Sequence, residues 1–128
     1  MEYLLDTVSL VRYLSNTGKI SPKVKKIFDK ADTSQCTFFI STISFMEILY
    51  LSERNRIPIT LKETVEKIQL STIYEVVDLS TEIILTAQTV DFYELHDRLI
   101  LATAKFLGVP IISSDTKFND VEGIQTIW

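Results

Sequence analysis

Residues 94–115 read ELHDRLILATAKFLGVPIISSD. Leu99, Ile100, Ala104 and Leu107 recur at the spacing of one helical face, which predicts a helix over 97–107. Gly108 suits the left-handed residue that closes a helix, and Pro110 cannot continue one. The run VPIIS that follows is short, apolar and β-branched, and reads as a buried strand. A helix feeding a buried strand through so tight a turn is half of a parallel α/β unit. Asp97 stands where this helix starts and Asp115 where its strand stops.

The same unit repeats toward the N-terminus. EYLLD is a short apolar run ending in Asp6, and SLVRYLSN behind it carries Leu10, Tyr13 and Leu14 at helical spacing. In SPKVKKIFDKA, Ser21 is the expected N-cap and Pro22 the first-turn residue. Val24, Ile27 and Phe28 make its apolar stripe, opposite a lysine face of Lys23, Lys26 and Lys30 that is expected to be solvated. CTFFIS reads as a buried strand and SFMEILYLSERN as a helix ending near Pro58. Thr60 with Glu63 is a capping-box signature, IYEVVDLS alternates toward a helix starting near Ser80, and IQTIW is a short closing strand. Trp128 is expected to pack. Strands alternating with helices predict an α/β fold of three α/β/α layers around a mostly parallel sheet.

Composition bounds the function. The chain has 128 residues, 46% hydrophobic and 23% charged, which is the material of one domain, and no linker or repeat divides it. A net charge of −4 excludes a protein that coats nucleic acid by charge alone. The single cysteine, Cys36, lies in an apolar run and cannot form an internal disulfide, which fits burial in a reducing compartment. No basic leader precedes the first strand and no apolar run is long enough to span a membrane, so a cytoplasmic protein is expected.

In parallel α/β sheets the functional crevice lies at the carboxyl ends of the strands, where strand order reverses. Asp6 and Asp115 end strands, Asp97 begins the helix leading into the second of these, and Glu47 lies early in the helix after CTFFIS. Each has an ordinary structural reading. Asp97 can cap its helix through the amide of Leu99 or Ile100, Glu47 can complete a capping box with Ser44, and Asp6 and Asp115 can be turn residues. Their convergence is harder to explain so. Two unit charges about 4 to 5 Å apart at an effective dielectric near 20 repel by roughly 3 to 4 kcal/mol, so clustered carboxylates need protons or cations. Only hard oxygen ligands are available and no Cys/His set has zinc spacing, which points to Mg²⁺, or Mn²⁺, as one or two ions.

Four stretches together carry a resemblance: LLDT at the first strand end, SFMEIL with its acid, HDRLILATAKFLGVPIISSD, and the phenylalanine of DTKF. Along its whole length the chain resembles the PIN-domain ribonucleases, in particular the small VapC-type toxins of toxin–antitoxin pairs. The resemblance implies that Asp6, Glu47, Asp97 and Asp115 are the acidic metal-binding positions, Asp6 and Asp97 foremost. It implies a Mg²⁺- or Mn²⁺-dependent endoribonuclease in which a metal-activated water attacks the phosphate of RNA, leaving a 5′-phosphate and a 3′-hydroxyl. It further implies a homodimer and a small antitoxin lying across the pocket. A further polar residue after the last acid is expected in such proteins, and Asn119 and Asp120 both qualify. Ser114 stands where many relatives have Thr, and Thr7 can orient Asp6 or contact a phosphate, or simply enter its helix. His96 and Glu94 are expected at the surface; Arg98 and Lys105, one heptad apart, can hold RNA backbone or be solvated.

Three other readings compete. A freestanding PIN nuclease in RNA processing would carry the same residues, and a neighbouring antitoxin gene discriminates it. A receiver domain of similar pattern would need a phosphorylatable acid ending its central strand, where CTFFIS ends in Ser41. A catalytically inactive RNA- or protein-binding module has no need of all four acids.

Overall fold

A computed structural model of the chain describes residues 1–33 and 35–128. The first strand, β1 (Glu2–Leu5), turns at Asp6 directly into α1 (Thr7–Ser15), followed by α2 (Pro22–Asp29). Next come β2 (Thr37–Ser41), α3 (Thr42–Glu53), α4 (Leu61–Gln69), β3 (Tyr74–Val77), α5 (Thr81–Ala87) and α6 (Leu95–Leu107). The chain closes with β4 (Ile111–Ile112), a 3₁₀ turn over Thr116–Asp120, and β5 (Thr126–Ile127). The strands form one sheet in the order β3-β2-β1-β4-β5, and every pairing is parallel. The expectation of a mostly parallel sheet is thus met in full.

Strand pleating builds two cores. Leu5, Phe38, Ile40 and Ile112 point to one face, packed with Leu10 of α1, Val24 and Phe28 of α2, Ile48 of α3 and Ile68 of α4. Leu4, Phe39 and Ile111 point to the other, against Ile83 and Ala87 of α5, Ile100 and Leu101 of α6, and Phe118 of the 3₁₀ turn. The register pairs Leu4 with Phe39 and Ile111, and Leu5 with Ile40 and Ile112. The central strand is therefore buried on both faces, which is why it reads as an unbroken apolar run rather than an alternation.

Local signals set most boundaries. Ser21, Thr60 and Ser80 accept the capping bonds expected of them, from the amides of Val24, Glu63 and Ile83. Gly108 closes α6 at φ 69°, a conformation a Cβ disfavours, and its N–H reaches the carbonyls of Ala104 and Lys105. Helix α3 departs from expectation. It stops at Glu53, well short of Pro58, where Asn55 takes a positive φ of 56° and the Arg54 guanidinium stacks 3.6 Å from the Tyr50 ring centroid. Cys36 is buried and free, and Trp128 packs on the first core with Arg12 beside its ring. Lys23 and Lys26 are exposed, as the polar face of α2 requires. Among the described residues no helix is long and apolar enough to cross a membrane.

This topology fixes where a site can lie. The chain moves outward from β1 to β2 and β3 on one side, then crosses back through α5 and α6 to place β4 on the other side of β1. In sheets of this kind helices on the two faces diverge at that reversal, which places the expected crevice beyond the carboxyl ends of β1 and β4. The placement of α6 rests on Leu101, which is fully buried against the sheet. Replacing Leu101 by Ala should cost about 2–5 kcal/mol, seen as a lower urea midpoint at unchanged m; an unmoved midpoint would mean that α6 is anchored elsewhere.

Candidate active site

The crevice gathers acids from four elements. Asp6, only 7% exposed, ends β1 and caps α1, its Oδ1 accepting from the Ser9 amide at 2.8 Å. The sheet register, continued by one residue past the Leu5–Ile112 pair, sets Asp6 opposite Ser113, whose hydroxyl hydrogen-bonds the Asp6 carboxylate. Ser113 is buried as well, and its Oγ accepts from the Asp115 amide at 3.1 Å. One serine thus ties two of the acids to each other. Asp115 in turn caps the 3₁₀ turn, accepting from the Lys117 amide at 3.0 Å.

Glu47 enters from α3. Its Oε1 accepts a 2.6 Å hydrogen bond from Thr7 Oγ1, which also lies 2.9 Å from the buried Ser44 Oγ. Thr7 therefore orients Glu47, not Asp6. The capping box of Glu47 with Ser44 is not formed, because α3 begins three residues earlier and is capped by Ser41. On α6 the expected cap is also displaced. The helix starts at Leu95, and Glu94 caps it, accepting from the amides of His96 at 3.2 Å and Asp97 at 2.6 Å. Asp97, freed from capping, keeps its carboxylate for the crevice. Glu94 was expected in solvent because glutamate is a poor N-cap by preference, and the sequence offers an aspartate three residues on.

Electrostatics show how close these groups stand. Burial lifts the Asp97 carboxyl to about 6, and the charges of Glu94, Glu47, Asp115 and Asp6 push in the same direction. Burial also raises Asp6, against hydrogen bonds from Ser113 and Ser9 and the Arg12 cation. It raises Glu47 too, against the Thr7 hydrogen bond and the partial charge of His96. The four acids read from the sequence, with Glu94 as a fifth, share one electrostatic environment.

A family model described as PIN domain matches residues 3–124. The chain belongs to the PIN-domain family. Among solved structures, this PIN domain superposes on VapBC2 from Rickettsia felis bound to a promoter DNA fragment, with a TM-score of 0.71 at 15% identity over 99% of this chain and 98% of that one. DNA-bound VapBC from Salmonella typhimurium gives 0.69 at 18% identity, covering 99% and 97%, and VapBC-1 from nontypeable Haemophilus influenzae 0.63 at 18%, also covering 99% and 97%. At these identities the likeness is one of fold. No curated protein sequence matches the chain.

The donor set of this PIN domain fits a hard divalent cation. Among the described residues no three His, Cys, Asp or Glu side chains close onto a single point as a ready-made cage. The donors that do stand near one another are all carboxylate oxygens, the ligand type of hard divalent cations. Burial penalises the charged forms of Asp6, Glu47 and Asp97, and acidic neighbours add to the penalty at Glu47 and Asp97.

The remaining expected residues fall outside this cluster or on its edge. Ser114 is half-buried, while its neighbour Ser113 makes the contacts to Asp6 and Asp115. Composition could not choose within the serine doublet; register does. Arg98 Nε donates to the Ala87 carbonyl at 3.0 Å, and Lys105 Nζ donates to Thr89 Oγ1 at 2.9 Å, so both cations hold the C-terminal end of α5. Asn119 and Asp120 are both exposed, and Asp120 borders a separate hollow with Tyr93 and Lys117. His96 is exposed, with Nδ1 3.9 Å from Glu94 Oε1. Beside Glu47 opens an apolar hollow of about 580 Å³, lined by Ile43, Met46, Tyr50, Leu51 and His96.

The raised Asp97 carboxyl has a consequence for stability. From its ordinary value of 3.8 up to about 6, the folded chain binds more protons than the unfolded one. Stability of the metal-free protein therefore falls as pH rises through that window and remains lower above it. Asp6 and Glu47, also raised, act in the same sense. Thermal unfolding in EDTA should give a lower Tm at neutral pH than near pH 5, and Asp97→Asn should shrink that difference; a variant with the wild-type pH slope would remove Asp97 from the account.

Proposed function

We propose that this chain is a Mg²⁺- or Mn²⁺-dependent endoribonuclease, and the toxin of a type II toxin–antitoxin pair. The observation that carries this reading is the meeting of carboxylates from β1, α3, α6 and the end of β4 at the reversal point of the sheet, where each raises the proton affinity of Asp97. A cluster of that charge has no structural use in a protein that leaves it empty of counter-charge. When bound, a divalent ion supplies Lewis acidity toward a phosphate oxygen and acidifies a water. Asp6 and Asp97 would hold it, with Glu47 and Asp115 at its flanks.

The chain's own residues perform the rest. Ser113 and the Ser9 amide fix the Asp6 carboxylate, and Thr7 fixes one oxygen of Glu47 while the other remains available to the crevice. The Glu94 cap holds the first turn of α6 so that Asp97 faces inward without rearrangement. Such preorganisation is what phosphoryl chemistry asks of a protein, because charge develops on oxygens already aligned for attack. Water as the nucleophile gives a 5′-phosphate and a 3′-hydroxyl.

The antitoxin reading is supported by the surface next to the acids. Met46 is 61% and Tyr50 48% exposed on α3, and they line the hollow that adjoins Glu47. A peptide with apolar side chains for the hollow and a cation for the acids would cover both. Three fold neighbours are described as VapBC structures, and a fourth, from Klebsiella pneumoniae, as a toxin–antitoxin complex. Exposed Ile84 and Leu85 on α5 provide an apolar surface in keeping with a homodimer.

Purified protein incubated with a mixed end-labelled RNA pool should cut it with Mg²⁺ or Mn²⁺ and not in EDTA, and the products should carry 5′-phosphates. Asp97→Asn should lower cleavage by at least about a hundredfold, the scale of losing a charge-stabilising group in a reacting site, while circular dichroism shows an intact fold. Cleavage that persists in EDTA, or in the folded Asp97→Asn protein, would refute the site; folded wild-type protein that cuts nothing would favour the inactive binding module.

A further inference from the structure

The connection between α5 and α6 carries an aromatic side chain that packing alone does not account for. Tyr93 is 75% exposed, yet its ring is fixed: it stacks on Phe92 with centroids 4.9 Å apart and planes at 28°. Phe92 sets its edge against Phe118 at 5.3 Å and 82°, and Phe118 is buried in the second core. The exposed ring is thus the outer member of a three-ring column rooted in the interior. Lys117 donates from Nζ to the Tyr93 hydroxyl at 2.8 Å while standing 5.3 Å from the ring centroid. Those two distances place the ammonium beyond the hydroxyl tip and not over the ring, so the face opposite Phe92 is left open.

The column borders the acidic crevice. Lys117 follows Asp115 by two residues, and its amide donates to the Asp115 carboxylate at 3.0 Å, so its backbone stands at the acidic cluster. Arg98 and Lys105 are committed to the end of α5, whereas the Lys117 ammonium stands at the Tyr93 hydroxyl, on the turn that Asp115 caps. The hollow beside it, about 300 Å³, is lined by Asp91 and Asp120 as well as Phe92 and Tyr93. Two carboxylates make that hollow unsuitable for a phosphate but acceptable for an uncharged flat group. An open aromatic face next to a cation is the combination that holds single-stranded nucleic acid, the base on the ring and the backbone on the charge. Unpaired bases are also the part of RNA that proteins can reach.

We propose that Tyr93 and Lys117 form a nucleotide-holding subsite on the rim of the acidic crevice, in which an unpaired RNA base stacks on the open face of Tyr93 and its phosphate takes the Lys117 ammonium. This inference rests on the ribonuclease reading and specifies how the strand beside the scissile phosphate is held. The subsite favours substrates with an unstacked residue next to the cut, which makes it a determinant of cleavage position. Its residues position the strand and take no part in bond breaking.

Binding separates this subsite from catalysis. The Asp97→Asn protein, with Mg²⁺ present, is titrated with a short unstructured fluorescein-labelled RNA and followed by anisotropy. Adding Tyr93→Ala should weaken binding about tenfold, within the range of losing one base–aromatic stack, whereas Tyr93→Phe, which keeps the ring, should stay within about threefold of the parent. Intact RNA with Tyr93→Ala and abasic RNA with the parent should bind alike. Lys117→Gln should weaken binding and reduce the slope of log K against log salt by about 0.7, one phosphate contact on a single strand. The proposal is overturned if Tyr93→Ala binds as the parent does, or if the parent binds no RNA. Wild-type cleavage with unaltered Tyr93→Ala binding would discard the subsite and leave the nuclease standing. The full binding pattern without wild-type cleavage would keep the subsite and discard the nuclease.

Discussion

Mutual repulsion among partly buried carboxylates is the constraint around which this molecule is arranged. Nothing in helix or strand propensity brings Asp6, Glu47, Asp97 and Asp115 together, and their proximity works against folding. The surrounding structure offsets it with neutral donors: the Ser9 amide and Ser113 hydroxyl at Asp6, the Thr7 hydroxyl at Glu47, and the Lys117 amide at Asp115. Among the described residues Asp97 accepts no comparable bond, and burial together with its acidic neighbours lifts its carboxyl to about 6. Asp97 stands in the first turn of α6, where the helix macrodipole gives its charged form partial relief.

The parallel sheet makes this concentration of charge possible. Because β1 is flanked by β2 and β4 in matched register, both of its faces are sealed by apolar side chains. Its polar end can then be presented at a single edge, without competing demands from solvent along its length. The left-handed closure at Gly108 brings β4 alongside β1 only a few residues after α6 ends, so an acid in the first turn of that helix and an acid after that strand arrive at the same edge. Geometry of this kind follows from chain reversal, not from any attraction between the acids.

Much of this was legible in the sequence. The strand–helix alternation, the caps at Ser21, Thr60 and Ser80, the stop at Gly108 and the burial of β1 all follow from local chemistry. So did the gathering of the four acids at one edge, since strand ends and helix starts in a parallel sheet share an edge. What escaped depended on register and on competition between neighbours. Ser113, not Ser114, joins Asp6 to Asp115 because it is the residue that the β1–β4 register, continued past the Leu5–Ile112 pair, sets opposite Asp6, which is invisible until the pairing is known. Glu94 displaces Asp97 as the cap of α6, against the usual preference of aspartate for that role. The column of Phe92, Tyr93 and Phe118 unites residues from two connections whose spatial meeting no periodicity announces.

The two cores bear on the crevice in a mechanical way. Glu47 rides on α3, whose Ile48 belongs to the core on one side of the sheet, and Asp97 rides on α6, whose Leu101 belongs to the core on the other. The gap between the two carboxylates is therefore a measure of how the outer layers are seated relative to each other. A slight shear of one layer would change that gap while leaving the interior packing of both cores intact. A bound group that spanned Glu47 and Asp97 would therefore join the helical layers of the two cores at the carboxyl end of the sheet, like a clasp.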